Sequence, residues 1–466
     1  MSNVSLSSRQ VSLLWLIALA GIALRFTSLG RSYWFDELAT LVNAGAPDWL
    51  TLWTHTAQDK QPPLYNSSTF VWISIFGRGE LAVRSLSLIY GLLALLTPWL
   101  ARTSLSRGEK LLCLLILCAL PLPIRYAQEA RNYSLLLLMS ASCLFLYLEC
   151  LTSGRALARN LLFGALLLLA ASHIFGLLLA LSFIAVMIVF ARNWIERLSL
   201  AVFGAVLGAA IVTPLILGGA GHDAGGHFWI TFTLASFIRA ILYVFTPVGL
   251  LLLGCALAVG WRDGGTAAID PRVIKAAAPS ALMFCGAVAI SFNTPILTDR
   301  NLIGMLPAFA LLIAVLLYRR LTRASSLEAA GLLLLLLLLL AQSCLLVGAR
   351  LLFVREDFRA IAQQSAQSNR RVCALIPNEH PHLWAWQAVE SFYVVEMLGR
   401  PDLEPRIVAE SELPLDPAGS ECRLWADGHP EGSVSVLKLL PQFRQCTDVP
   451  LGTPAERTHS VLLSCP

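Results

Sequence analysis

Apolar residues in this chain run in long unbroken stretches, and polar residues gather in short clusters between them. One stretch covers Val11–Leu29; another, Leu327–Val347, contains an uninterrupted leucine run from Leu332 to Leu340. Stretches of about 17–25 residues match the thickness of hydrocarbon that a helix must cross. They recur through the first 350 residues, which predicts an all-α polytopic membrane protein over 1–350. The pattern changes after Arg350. Glu356–Asn369 reads as an amphipathic helix and Leu383–Leu398 as a second helix. Arg371–Ile376, Ser433–Leu440 and Ser460–Ser464 read as short strands, so 351–466 is expected to form a small α/β domain.

Composition agrees. Of 466 residues, 57% are hydrophobic and 14% charged, whereas soluble domains carry about 25% charged residues. Mean hydropathy is +0.69. The net charge of +5 is distributed over short loops and forms no basic stripe, which excludes a nucleic-acid partner. Cys113, Cys118, Cys143, Cys150, Cys255, Cys285 and Cys344 lie in apolar segments and are expected to act as small buried hydrophobes. Cys373, Cys422, Cys446 and Cys465 lie in the tail, where an even count in an oxidising compartment suggests one or two disulfides of open pairing.

The loops orient the chain. Arg9 with Ala18-Leu19-Ala20 has the look of a cleavable signal, but the apolar run continues to Leu24, which favours an uncleaved first helix. Arg9, Arg102, Arg107, Lys110, Arg155, Arg159, Arg192, Arg197, Arg262, Arg272, Lys275, Arg319, Arg320 and Arg323 all fall on one side if the positive-inside bias holds. The opposite side then receives Gly30–Glu80, Tyr126–Asn132, Gly218–Thr246, Asn293–Asp299 and the tail. That solution has about eleven spans, a cytoplasmic N-terminus and an extracytoplasmic C-terminal domain. It requires Leu64–Phe76 to lie at the interface, because a stretch this short does not span comfortably. Arg25 lies near the end of its helix, where it can snorkel.

The short cytoplasmic loops leave no room for a nucleotide-binding domain, and no Gly-rich phosphate loop is present. An activated substrate, if one is used, must therefore arrive through the membrane or from outside. Asp36 and Glu37 are adjacent just beyond the first helix: either acids of a helix first turn or a strained pair at a low-dielectric boundary. Lys60 is a snorkelling anchor or a phosphate ligand. Arg125 and Arg131 lie on the side that disfavours them and need compensation from Glu129 or an anionic ligand. Arg300, beside Asp299 at a helix mouth, is a phosphate seat or an internal ion pair.

In order, these residues resemble the membrane-embedded C-type glycosyltransferase superfamily. The likeness is strongest to protein O-mannosyltransferases, the lipid A aminoarabinose transferase and bacterial relatives that use polyprenyl-phosphate sugars. It rests on Asp36-Glu37, Gln61-Pro62-Pro63-Leu64-Tyr65, Glu80 to Arg84, Gln128-Glu129-Ala130-Arg131-Asn132-Tyr133, Asp299-Arg300 with Pro307, and Arg355-Glu356-Asp357-Phe358-Arg359 after the last helix. The resemblance implies an inverting hexosyl- or pentosyltransferase of a bacterial-type inner membrane. Its donor would be a polyprenyl-phosphate-linked sugar and its acceptor a protein, glycan or lipid hydroxyl. Asp36 would be the general base and Glu37 would orient it or the acceptor. Arg131, Lys60 and Arg300 would hold the leaving phosphate, with Glu129, Tyr133, Gln61 and Tyr65 in support. Gln61 departs from the family, which usually has histidine or lysine there. No cofactor is required, since arginine and lysine suffice for a monophosphate; Glu129 with His55 or His173 is the set that could hold a divalent metal. The rival readings are a transporter or flippase of lipid-linked sugars, which would more naturally show repeated broken helices, and an inactive glycan-binding relative.

Overall fold

The computed structural model describes residues 8–59, 61–219, 232–262, 270–321, 326–351, 353–354, 357–376, 383–409, 422–426, 447–449, 457–458 and 461–464. Lys60 and the expected strand Ser433–Leu440 lie outside them. The helices are α1 (Ser8–Leu24), α2 (Phe35–Ala44), α3 (Trp49–Gln58), α4 (Leu64–Phe76), α5 (Glu80–Leu100), α6 (Arg107–Ala119), α7 (Pro121–Tyr126), α8 (Tyr133–Ser153) and α9 (Ala156–Ser172). They continue as α10 (Ile174–Phe190), α11 (Trp194–Gly219), α12 (Leu234–Val244), α13 (Pro247–Arg262), α14 (Pro271–Ser291), α15 (Leu306–Leu321) and α16 (Ser326–Leu351). The 3-10 turn Arg300–Met305 leads into α15. α17 (Phe358–Ser368) and α18 (Leu383–Ser391) follow, the latter running on as a π-helix over Phe392–Met397.

Among the described residues five helices are long and apolar enough to cross a bilayer: α5, α8, Trp194–Leu217 of α11, α14, and the continuous stretch Arg300–Tyr318. α12 and α13 together qualify as a sixth, bent by 77°. Their outer faces carry what a soluble protein buries, among them Leu93, Leu96 and Trp99 on α5 and Val202, Val206 and Ile216 on α11. Such a surface is stable only against lipid, and the chain is a multi-pass membrane protein. Cys285 and Cys344 are exposed on α14 and α16, so these two are not the buried hydrophobes expected from the sequence. α4 has 13 residues, about 20 Å of helix, well short of a roughly 30 Å hydrocarbon core.

Inside the bundle α8 packs between α5 and α9, and α10 between α9 and α14. Arg25 corrects an expectation: it does not snorkel but is fully buried. The reason lies in Pro121 and Pro123, which have no N–H to offer the carbonyls of Leu117 and Ala119 where α6 breaks into α7. Arg25 donates to Leu117 O at 3.0 Å and Cys118 O at 3.2 Å, and Ser343 donates to Ala119 O at 2.5 Å. Gly21 permits the approach, since a Cβ there would lie 2.5 Å from Cys118 O.

The strands after α16 are β1 (Phe353–Val354), β2 (Arg371–Ile376), β3 (Arg406–Ala409), β4 (Cys422–Ala426), β5 (Thr447–Val449), β6 (Arg457–Thr458) and β7 (Val461–Ser464). Five form a sheet in the order β3-β2-β4-β7-β5, with β2 parallel to β3 and β4, and β7 antiparallel to β4 and β5. Cys373, on β2, is disulfide-bonded. One apolar cluster joins this region to the first loop: Phe358, Ile361, Val389 and Phe392 pack with Tyr33, Leu38, Leu41 and Val83.

Candidate active site

The segment before α2 is fixed by a buried ion pair. Glu37 sits in the first turn of α2, and Trp34 N–H donates back to its Oε2 at 3.2 Å, one half of a capping box. Arg84, one turn into α5, donates to both carboxylate oxygens, Nε to Oε1 at 2.8 Å and Nη2 to Oε2 at 2.6 Å. Ala130 N–H adds a bond to Oε1 at 2.7 Å. Arg84 also binds the carbonyls of Leu29 (3.0 Å), Arg31 (2.5 Å) and Ser32 (3.0 Å), pulling the loop onto the head of α5. Glu37 is wholly enclosed and its carboxylate is committed to these donors. This corrects its placement among the catalytic residues: it anchors the loop and cannot meet a substrate. Asp36 is the preceding residue in the same first turn of α2.

Asp36, one residue earlier, has the opposite environment. Arg300 Nη1 donates to its Oδ2 at 2.8 Å, and Arg131 Nη2 stands 4.0 Å from the same oxygen. The Asp36 side chain is 25% exposed, against 0% for Glu37, so only one of the two adjacent carboxylates is open to a reactant. Arg131 is oriented by Nη1 bonds to Asp36 O at 2.8 Å and Thr40 Oγ1 at 2.9 Å. Its Nε is buried with no hydrogen-bond partner among the described residues. Residues 36, 131 and 300, far apart in the chain, thus converge.

The supporting residues divide. Tyr133 lies against Tyr126 (4.4 Å between rings) and His173 (5.5 Å). Gln61 accepts from Asn132 Nδ2 at 3.1 Å, tying the first outer loop to the second. Tyr65 acts from behind: its hydroxyl meets Ser87 Oγ at 2.8 Å, and Ser87 reaches Arg131 O at 3.4 Å. Glu129 is buried and receives Arg125 Nε at 3.1 Å, so of the two arginines of this loop it is Arg125 whose side chain it pairs with at this distance. Arg125 also donates to Tyr243 OH on α12 at 2.7 Å.

Three contributors had no role on sequence grounds: Arg84, Thr40 and Asp59. The Asp59 residue is exposed at the end of α3, but its carboxyl turns inward, accepting Asn43 Nδ2 at 3.1 Å. Loss of solvation raises its pKa to about 6; Asp36 adds to the rise and Arg131 opposes it. His173, which caps α10 by accepting Phe175 N–H on Nδ1 at 3.0 Å, has its pKa pulled down to about 3 by burial and then by Arg131 and Arg300. It is therefore neutral, with Nε2 protonated. Among the described residues no three His, Cys, Asp or Glu side chains are grouped to hold a metal ion.

The fold of this helical bundle is similar to that of several solved structures. Solved structures similar to it include ArnT from Cupriavidus metallidurans in the apo state, at 16% identity and a TM-score of 0.59 over 98% of each chain. The same protein bound to undecaprenyl phosphate matches at 17% identity and a TM-score of 0.55, again over 98% of each chain. The apo oligosaccharyltransferase of Archaeoglobus fulgidus matches at 13% identity and a TM-score of 0.51, over 85% of this chain and 65% of that one. At these identities the likeness is one of fold. No family model and no curated protein matches the sequence.

Proposed function

We propose that this protein is an inverting glycosyltransferase that moves a sugar from a polyprenyl-phosphate donor to an acceptor hydroxyl on the extracytoplasmic face of the membrane. The observation that carries the reading is a quarter-exposed Asp36 carboxylate with Arg300 at 2.8 Å and Arg131 at 4.0 Å. As the acceptor oxygen bonds to the anomeric carbon, Asp36 takes the hydroxyl proton. The bond from that carbon to the phosphate oxygen breaks, and its electron pair leaves with the polyprenyl phosphate. Arg131 and Arg300, joined by Lys60, receive that charge. Before the donor binds, the two guanidiniums are balanced by Asp36. An incoming phosphate replaces the carboxylate as their partner and releases it to act as base. Guanidinium charge answers a monophosphate, so the reading calls on no metal.

The same reading assigns eleven spans: α1, α5, α6 with α7, α8, α9, α10, α11, α13, α14, α15 and α16, with α12 in an outer loop. The N-terminus is then cytoplasmic, and 351–466 forms an extracytoplasmic domain beyond a 1–350 transferase domain in a bacterial-type inner membrane. Bonds from Asn132 to Ser172 O (3.3 Å) and from Arg131 to Asp36 support placing these loops on one side. The acceptor is a hydroxyl of a protein, glycan or lipid. The test is Asp36→Asn, purified in lipid and supplied with a panel of polyprenyl-phosphate sugars. General-base loss predicts a fall in kcat of about 10²–10⁴ with normal insertion; an Asn variant that transfers sugar at the parental rate removes the assignment.

A further inference from the structure

The motif around Arg359 plays no part in the chemistry above, yet its neighbours reach the backbone that presents Asp36. Tyr393, in the π-helical turn, accepts Tyr33 N–H at 2.8 Å and donates to Glu80 Oε1 at 2.9 Å through one hydroxyl. Arg359 Nη1 donates to the same Glu80 oxygen at 3.1 Å and to Gly30 O at 3.1 Å, and its amide donates to Ser32 Oγ at 3.2 Å. Tyr33 is fully buried, edge-on to Phe392 at 6.1 Å between rings, and its own hydroxyl donates to Arg78 O at 3.1 Å. Arg78 in turn pairs with Glu396 of the π-helix. Glu80 and Arg84 are one turn apart on α5. Glu80 therefore holds the tail, while Arg84 holds Glu37 and the carbonyls of Leu29, Arg31 and Ser32.

We infer that the tail forms a clasp over residues 30–36 and that Tyr393 is a positioning residue for Asp36. This inference rests on the glycosyl-transfer reading for its effect on rate, but not for the clasp itself. The chain from residue 33 to 36 is short and enters α2 directly, so a shift at Tyr33 N displaces the carboxylate relative to Arg300. Base catalysis falls steeply with such displacement, whereas donor binding, which rests on arginines carried by other loops and held in part by Thr40, changes less. A π-turn widens the helix at this point, as such turns often do where a side chain must be re-aimed.

Tyr393→Phe in the full chain, reconstituted in lipid nanodiscs, keeps the ring and its packing and removes the hydroxyl. The expected result is a kcat at least tenfold lower, a donor KM within twofold of the parent, and faster amide hydrogen exchange in the peptide spanning 30–38. Glu80→Gln should reproduce the kcat loss, and the double variant should be no slower than the worse single one, because both act through one hydroxyl. Tyr393→Phe with parental kcat overturns the role in catalysis, as does a loss carried by KM. Unchanged exchange at 30–38 overturns the clasp even if the parent protein transfers no sugar, an outcome that would count against the proposed function alone.

Discussion

The two ends of the helix bundle use charge differently. At the end away from Asp36, ionic groups close helix termini. Glu109 Oε2 accepts the Ser106 amide at 2.7 Å, Glu149 accepts the Arg102 amide at 2.9 Å and Arg155 at 3.2 Å, and Lys110 reaches Ala101 O at 2.9 Å. All but the Arg155–Glu149 pair answer backbone that a helix end or short linker leaves unpaired. At the Asp36 end Glu37 and Arg84 perform that service too, but Arg131 and Arg300 do not. They come from separate loops onto a single carboxylate that stays open to solvent. Charge that completes the fold is spent on backbone or on an enclosed partner; at the Asp36 end two arginines instead share one partly exposed carboxylate.

The sharpest way to break this contrast is to remove one arginine from each end. Arg84→Ala leaves Glu37 buried without its main partner, and such a loss costs about 3–5 kcal/mol. Arg155 is 39% exposed in its pair with Glu149, and exposed pairs are worth about 0–1 kcal/mol. Thermal unfolding in nanodiscs should therefore show a large drop for Arg84→Ala and almost none for Arg155→Ala. Similar drops would mean that the two ends are built alike.

A second comparison separates folding from catalysis at one end. Removing a preorganised donor from a developing anion lowers kcat by about 10²–10³. Arg131→Gln should lose activity on that scale while its unfolding midpoint falls less than that of Arg84→Ala, because the partners it gives up are the Asp36 carbonyl, the Thr40 hydroxyl and an Asp36 carboxylate that keeps Arg300. Arg155→Gln should leave turnover unchanged. If Arg131→Gln instead unfolds as readily as Arg84→Ala, Arg131 belongs with the structural charges.

This division explains what could be read from the sequence. Long apolar stretches announce membrane helices, since lipid imposes the same demand on every residue of a span. Asp36, Arg131 and Arg300 stood out as charges set beside apolar stretches, where each needs a partner. The sequence could not say which of two adjacent acids faces outward. Asp36 and Glu37 differ by one position on a helix, about 100° of rotation, and only the location of Arg84 decides which is enclosed. Arg25 misled for the same reason. Its place near the helix end suggested snorkelling, while its partners include the carbonyls of Leu117, freed by Pro121, and Cys118, more than ninety residues away. Thr40 and Asp59 are ordinary residue types, and proximity to Arg131 is what makes them matter.

Asp59 offers the finest adjustment of the contrast, because it sets how strongly Arg131 is shared before a ligand arrives. Its carboxyl titrates near pH 6, above the ordinary 3.8. The fold therefore favours the protonated form, and the charge is lost as pH falls through about 6. A polyprenyl-phosphate sugar is a phosphodiester whose single negative charge does not titrate in that range. With Asp59 neutral, Arg131 faces one fewer competing anion, so donor binding should tighten between pH 7 and pH 5. Asp59 is exposed as a residue, and a solvent-screened interaction of up to about 1 kcal/mol sets the limit, a gain of no more than about fivefold. Asp59→Asn removes the titration and should bind donor at pH 7 as the parent does at pH 5, with a flat profile between. The measurement is the affinity for a non-transferable polyprenyl-phosphate analogue in nanodiscs across that range. A parental profile that is flat, or that weakens toward pH 5, would separate Asp59 from Arg131 and leave the guanidinium shared between Asp36 and the incoming phosphate.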